Sequence, residues 1–172
     1  MNLAQWIRDV PDFPTPGIDF KDLSPLLGDG PAFAESIEPL VMPFRDQGIS
    51  CICGIEARGF IFGAAAALAL GCGFVLVRKP GKLPAQTIGI DYSFEYGSDR
   101  LEMHVDAFAP GQRVLLVDDV LATGGTLVAA AALVEQAGAE IAGSALILEI
   151  AALGGRSRWQ RPAPLHSLIV ID

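Results

Sequence analysis

The chain has 172 residues, 51% of them apolar and 19% charged, with 12 Lys+Arg against 20 Asp+Glu for a formal net charge of −8. That length suits one domain with a substantial core and is short for two, and the apolar content sets it apart from disordered chains. The acidic balance argues against a nonspecific nucleic-acid binder, which needs a basic face to neutralise phosphates, yet it leaves room for a small anionic ligand held by a few gathered cations.

Residues 1–30 contain "FPTPGIDFKDLSPLL" (13–27), too rich in proline for a long helix, and are expected to form a small cap, or hood, over strand ends. The first ten residues lack the apolar core and cleavage site of a signal peptide. "ISCICGI" (49–55) reads as a buried strand. Residues 59–77, "GFIFGAAAALALGCGFVLV", carry no charge over nineteen positions, close to the length of a membrane span. "LGCG" divides them, however, into an alanine- and leucine-rich half that favours helix and a β-branched, aromatic half that favours strand. The spacing predicts a buried helix over 59–70 and a buried strand over 73–78, and no membrane partner. From 80 to 105 glycine and proline break the pattern, while "TIGIDYSFEY" and "LEMHV" alternate. This predicts an antiparallel excursion with a flexible loop at 81–105. "RVLLVD" (113–118) is a further strand, Thr126 to about Ala137 a helix closed by Gly138, and 142–150 a strand again. The tail, 156–172, is expected to add a closing strand. Continuous apolar strands separated by helices imply a sheet covered on both faces. The fold class is therefore α/β, a Rossmann-like doubly wound and mainly parallel sheet, in a single domain over 1–172. Cys51, Cys53 and Cys72 are odd in number and set among apolar residues, as in the core of a reduced, cytoplasmic protein. His104 and His166 read as packing or surface residues.

In an open α/β sheet, ligands bind beyond the carboxyl ends of the strands. That rule selects "GIEARGF" (54–60), "RKPGK" (78–82) and "DDVLATGGT" (118–126). In the last, Gly124 and Gly125 can adopt positive φ and turn successive N–H groups inward. Ala122 leads into this turn, Thr123 and Thr126 add hydroxyl donors, and the following helix offers its N-terminus to an anion. The turn suits one phosphate monoester and is not a Walker loop, since no lysine follows the glycines; a plain helix-capping turn would also be served by "GGT". Asp118 and Asp119 repel each other and a phosphate, so they call for donors such as ribose 2′- and 3′-hydroxyls, or for magnesium bound directly or through water. Arg58 stands at a helix start, where the helix dipole disfavours an idle cation, and its fork suits phosphate oxygens. Arg78, Lys79 and Lys82 form a second basic cluster.

"DDVLATGGT" and the helix after it resemble the phosphoribosyl pyrophosphate motif of type I phosphoribosyltransferases. With "FPTPGIDFKDLSPLL", "EARGFIFG" (56–63), "VRKPGKLP" (77–84) and "YSFEYGSDRLEMHVDA" (92–107), the chain resembles the adenine branch of that family from about Phe13 to Gly155. The resemblance implies transfer of a phosphoribosyl group from phosphoribosyl pyrophosphate to adenine, giving AMP and pyrophosphate. It implies Mg2+ held through substrate and water, with no direct protein ligand, and a homodimer with shared sites. Asp118, Asp119 and Ala122 to Thr126 would bind ribose 5-phosphate. Glu56, Ala57 and Arg58, with a cis peptide between the first two, would grip pyrophosphate, and Arg78, Lys79 and Lys82 would reach the pyrophosphate of the neighbouring subunit. Glu95, on a closing loop with Tyr96, would manage the base proton. Adenine would lie on backbone groups at Asp19 and Lys21, beside Phe20, with Ile150 over its other face. The lack of a basic residue in "LILEIAALGG" (146–155) agrees with a 6-amino purine. Two departures stand out: many relatives carry an aliphatic residue in place of Asp19, and the tail from Arg156 has little specific match. The alternatives are transfer to another base, such as xanthine, hypoxanthine or orotate, or a noncatalytic regulator that senses the sugar diphosphate. The regulator would need a DNA-binding partner domain, and this sequence has no basic helix and retains Glu95.

Overall fold

The computed structural model describes residues 2–94 and 97–172. After a 3-10 turn at Leu3–Trp6, strands β1 (Arg8–Val10) and β2 (Phe20–Asp22) pair antiparallel, and helices α1 (Ser24–Gly28) and α2 (Gly30–Val41) follow. Then come β3 (Cys51–Ile55), α3 (Gly59–Leu70) and β4 (Gly73–Val77), and the antiparallel pair β5 (Thr87–Phe94) and β6 (Gly97–His104). The chain returns through β7 (Arg113–Leu121), α4 (Gly125–Gln136), β8 (Glu140–Ile150) and β9 (Leu165–Ile171). The main sheet has the order β4-β3-β7-β8-β9, and every neighbouring pair in it is parallel.

The expected strands and helices are present because their side chains have two faces to fill. In β7, Leu115 and Val117 enter the cluster with Ile52, Phe62 and Ile147 on the α2–α3 face. Leu116 enters the cluster with Cys53, Ile55, Leu133 and Leu146 on the α4 face, as the two-residue period of a strand requires. The apolar run 59–77 divides where expected: α3 stops at Gly71, whose φ of 66° ends the helix. Among the described residues no helix is long and apolar enough to cross a membrane. The tail supplies β9, the edge strand beside β8.

Two features differ from the sequence reading. Helix α2 leaves no clear helical signal in the sequence, because Pro31 and Pro39 both lie within it. Pro31 is tolerated in the first turn, Asp29 accepts the Ala32 N–H at 2.9 Å as N-cap, and His166 of β9 meets the Pro39 carbonyl at 3.2 Å. Strand β7 also runs three residues beyond Asp118, pairing Asp118 with Leu146 and Leu121 with Glu149 of β8. The two acids thus project from a paired strand and not from a loop.

The order of the sheet reverses between β3, which connects outward to β4, and β7, which leads the other way. At such a switch point the loops leaving the two strands diverge and open a crevice. The crevice depends on close seating of α3 on β3. A methyl group at Gly54 would lie 2.5 Å from the Phe74 ring and 3.2 Å from the Gly59 carbonyl oxygen. Gly54→Ala is therefore expected to destabilise the protein by about 1–3 kcal/mol through overpacking, read as a lower denaturant midpoint at unchanged slope in urea unfolding.

Candidate active site

A cavity of about 590 Å3 occupies this crevice, lined by residues from β2, the turn after β3, Lys79, the end of β7 with the turn into α4, and Ile150 with Leu153. Of the residues singled out in the sequence, Asp19, Phe20, Lys21, Glu56, Ala57, Arg58, Lys79, Asp118, Asp119, Ala122 to Thr126 and Ile150 all line it. Arg78 and Lys82 do not. Glu95 and Tyr96 lie outside the described residues.

The floor is acidic. Asp118 and Asp119 are 9% and 7% exposed. The Asp118 carboxylate accepts the Asp119 N–H at 2.9 Å, and its ionisation is held well above the usual carboxylate range, first by burial and then by the neighbouring charge of Asp119. The Arg58 guanidinium donates to Asp119 and lies 5.1 Å over the Phe20 ring. Arg58 thus joins the acidic floor to the aromatic wall. Gly59 makes the approach possible, since a methyl group there would come within 2.8 Å of an Asp118 carboxylate oxygen.

The Glu56–Ala57 peptide is cis, as the resemblance implied. The Glu56 carboxylate turns toward β4, where it accepts from Arg78 Nη2 at 3.0 Å and the Lys79 N–H at 2.9 Å. The Arg78 hydrogen bonds, first among the causes, hold it below its ordinary pKa. Arg78 also donates to the Lys82 carbonyl at 3.1 Å and packs over Phe60. Of the four cations read from the sequence, only Arg58 and Lys79 face the cavity of their own chain. Lys21, nearer the Phe20 wall, donates to Asp19 at 2.8 Å and Asp9 at 2.7 Å.

The turn Ala122–Thr126 wraps the N-terminus of α4, with Gly124 at φ 81°. Its far side rests on a segment that the sequence reading did not select. A methyl group at Gly155 would lie 2.2 Å from the Ala122 carbonyl oxygen, and Arg158 Nη1 donates to the Thr123 carbonyl at 3.4 Å. Arg156 secures that segment. It donates to the buried Glu149 at 2.9 Å, while Ser167 of β9 donates to the same carboxylate at 2.6 Å. No local pattern points to the contacts of Gly155 and Arg158 with the turn, because they join residues more than thirty positions apart. Among the described residues, no cluster of three His, Cys, Asp or Glu side chains is placed to hold a metal ion.

The crevice at the switch point, the glycine turn and the paired acids together define a known architecture. Residues 29–163 match the model of the phosphoribosyl transferase domain. An adenine phosphoribosyltransferase of Xanthomonas campestris is 56% identical over 94% of this chain and 89% of its own length. The chain belongs to the phosphoribosyltransferase family, in its adenine branch. The crystal structure of adenine phosphoribosyltransferase from Rhodothermus marinus superposes with a TM-score of 0.94 at 51% identity, covering 98% of this chain and 96% of that one. A more distant member from Trypanosoma brucei, in complex with AMP, pyrophosphate and ribose-5-phosphate, has a TM-score of 0.88 at 26% identity, over 98% of this chain and 77% of its own.

Two outcomes follow for the family site. Because the folded state raises the Asp118 pKa, ionising this carboxyl costs stability, and the cost appears as pH rises above the ordinary value near 4. Asp118→Asn should melt higher than the parent at about pH 8, by about 2–4 °C for each 1 kcal/mol relieved. The gap should close toward about pH 4, and the variant should bind phosphoribosyl pyrophosphate more weakly; paired melting and titration curves test both. Gly155→Ala should displace the Ala122–Thr126 turn, raising the Kd for AMP by about tenfold or more, equivalent to about 1.4 kcal/mol, with a melting temperature that shows the protein still folded.

Proposed function

We propose that the protein transfers the 5-phosphoribosyl group from phosphoribosyl pyrophosphate to adenine, forming AMP and pyrophosphate in purine salvage. The observation that carries this reading is the meeting, in one crevice, of the glycine turn, the paired carboxylates, Phe20 and Ile150. The complex of the Trypanosoma brucei relative with AMP, pyrophosphate and ribose-5-phosphate supports it.

In this reading the 5-phosphate lies in the turn Ala122–Thr126, bound by N–H and hydroxyl donors at the start of α4. The ribose hydroxyls donate to Asp118 and Asp119. Adenine stacks between Phe20 and Ile150 and is read by backbone groups at Asp19 and Lys21, whose side chains are already paired with each other. As the bond at C1 breaks, positive charge grows on the sugar and negative charge on the departing diphosphate. Asp118 and Asp119 lie on the side of the sugar, and Arg58 and Lys79 face the diphosphate from the turn after β3 and the end of β4. Glu95 takes the proton of the attacking base, and Tyr96 closes over the site beside it. Magnesium fits the donor set through water, given hard carboxylate oxygens beside a cavity for a polyanion, and would supply charge neutralisation on the diphosphate.

Residues 1–30 act as the cap and 81–105 as the closing loop of a single unit over 1–172. A homodimer is the working form. Its support is an uncovered apolar strip on α3 and β4: Leu68 is 85% exposed, Ile61 42% and Leu76 37%. A partner on that face would receive Arg78 and Lys82, which do not line their own cavity. Three free thiols suit a reducing, cytoplasmic setting.

The test is pyrophosphate release from phosphoribosyl pyrophosphate and magnesium, with adenine, guanine, hypoxanthine, xanthine and orotate supplied singly. Release is expected with adenine alone, and Glu95→Ala should lower kcat by about 10²–10⁴-fold, the range for loss of a general acid–base group. Arg58→Ala should weaken pyrophosphate binding. Release with a different base would overturn the adenine assignment, and tight sugar-diphosphate binding without turnover would make the protein a sensor.

A further inference from the structure

The phenol oxygen of Tyr92, on β5, stands behind the crevice between Thr126 of the glycine turn and Lys79, both of which line it. It lies 3.3 Å from Thr126 Oγ1 in the glycine turn, 3.3 Å from Lys79 Nζ at the end of β4, and 3.3 Å from an Asp99 carboxylate oxygen on β6. Lys79 donates to that same carboxylate. The Tyr92 ring packs on the turn, 3.8 Å from where a Gly125 side chain would begin, and the ammonium lies 5.8 Å from the ring centre. Tyr92 opens the segment 92–107 that carries the family resemblance, but the resemblance gives it no role in the site.

The donors and acceptors restrict how these groups share protons. Lys79 has three N–H donors and no acceptor, the carboxylate only accepts, and each hydroxyl has one proton and can also accept. Two ammonium protons go to Asp99 and Tyr92, which leaves the third for the cavity that Lys79 lines. The Tyr92 proton has two destinations, Asp99 and Thr126. With the turn empty, the ionised acid is the stronger acceptor, and the Thr126 proton points back at the phenol. A phosphate in the turn reverses this, because a charge-assisted bond draws the Thr126 proton to the phosphate. Thr126 Oγ1, no longer donating to the phenol, is then open to accept from Tyr92, in competition with an Asp99 oxygen that Lys79 already engages. The chain runs in one direction, from Lys79 to Tyr92 to Thr126 to phosphate, and each bond polarises the next.

Resting on the transferase reading, we propose that Tyr92 is a positioning residue that couples the two anionic ends of the substrate: occupation of the phosphate turn fixes Lys79 for the diphosphate. Coupling between two sites is reciprocal in binding free energy, so it is measured on the two product anions. Calorimetric titration of pyrophosphate with magnesium, with and without saturating AMP, gives a coupling factor as the ratio of the two Kd values. In Tyr92→Phe, which keeps the ring and loses the hydroxyl, that factor should fall at least about fivefold, the lower end of typical couplings, while each anion alone binds much as before. Thr126→Ser should preserve the factor and Thr126→Val should lose it, each at AMP concentrations that saturate the variant. Those two variants test the same chain should the tyrosine change impair folding. A factor unchanged in Tyr92→Phe, whether binding of the single anions is normal or uniformly weakened, would overturn the coupling and leave the transferase reading intact. Failure of the unaltered protein to bind either anion would overturn both.

Discussion

Two carboxylates side by side on a buried strand must be relieved of their mutual charge, by an opposing cation or by disfavouring ionisation of one of them, and the arrangement of the crevice follows from how Asp118 and Asp119 meet that requirement. Their backbone is fixed by pairing with β8, so they cannot turn away into solvent. Arg58 opposes them from the first turn of the neighbouring β3–α3 connection. That brings the start of α3 onto the strand end, and only a glycine at position 59 admits it. The guanidinium, held there, also covers Phe20 of the N-terminal pair. One ion pair therefore ties three separate stretches of chain around the cavity.

The same logic explains how a protein of net charge −8 can present a binding site for a polyanion. Each inward cation is held by an acid of its own: Arg58 by Asp119, Lys79 by Asp99, and Lys21 by Asp19 and Asp9. Such pairs fix the donors before a ligand arrives, which is the form of electrostatic preorganisation most useful in charge-separating reactions. Pairing also limits the net positive charge that reaches the cavity. In the proposed reaction magnesium makes up the difference, which accords with a site that has few unengaged cations and ample carboxylate.

How much of this was legible depended on the range of the interaction involved. The strands at 49–55, 113–118 and 142–150 are apolar on both faces, and a buried parallel strand leaves that mark in any window of sequence; 73–78 carries the same mark yet is the edge strand of the sheet and only partly buried, which its apolar run does not reveal. The glycine turn and the paired acids were legible because they break such runs abruptly. Helix α2 was hidden by Pro31 and Pro39, whose cost to a helix is real but is limited here by position, in the first turn for Pro31 and in the last for Pro39. The extension of β7 past Asp118 depends on pairing with β8, and a pair of carboxylates gives no local hint that it is paired. The support of the turn by Gly155, and the meeting of Tyr92 with Thr126, are contacts between distant residues. Glycine and tyrosine are common enough in loops and strands that neither announces such a role.

The end of β8 shows why base and phosphate sites cannot vary independently on this scaffold. Glu149 is the last buried acid of that strand, and Arg156, the first to act among its partners, holds it below its ordinary pKa through hydrogen bonds. Between those two residues the chain makes one tight excursion. It carries Ile150 and Leu153 into the cavity and sets Gly155 under the glycine turn. A change that enlarged the slot beside Phe20 by moving Ile150 would therefore shift Gly155, and with it the carbonyl of Ala122, in a contact that leaves no room even for a methyl group. Exchange of side chains at positions 150 and 153 is permitted, because those point into open volume; displacement of their backbone is not. In the proposed reaction, then, a preference among purines is set by what side chains fill the slot and by the fixed backbone at Asp19 and Lys21, within limits imposed by a phosphate turn that must stay where it is.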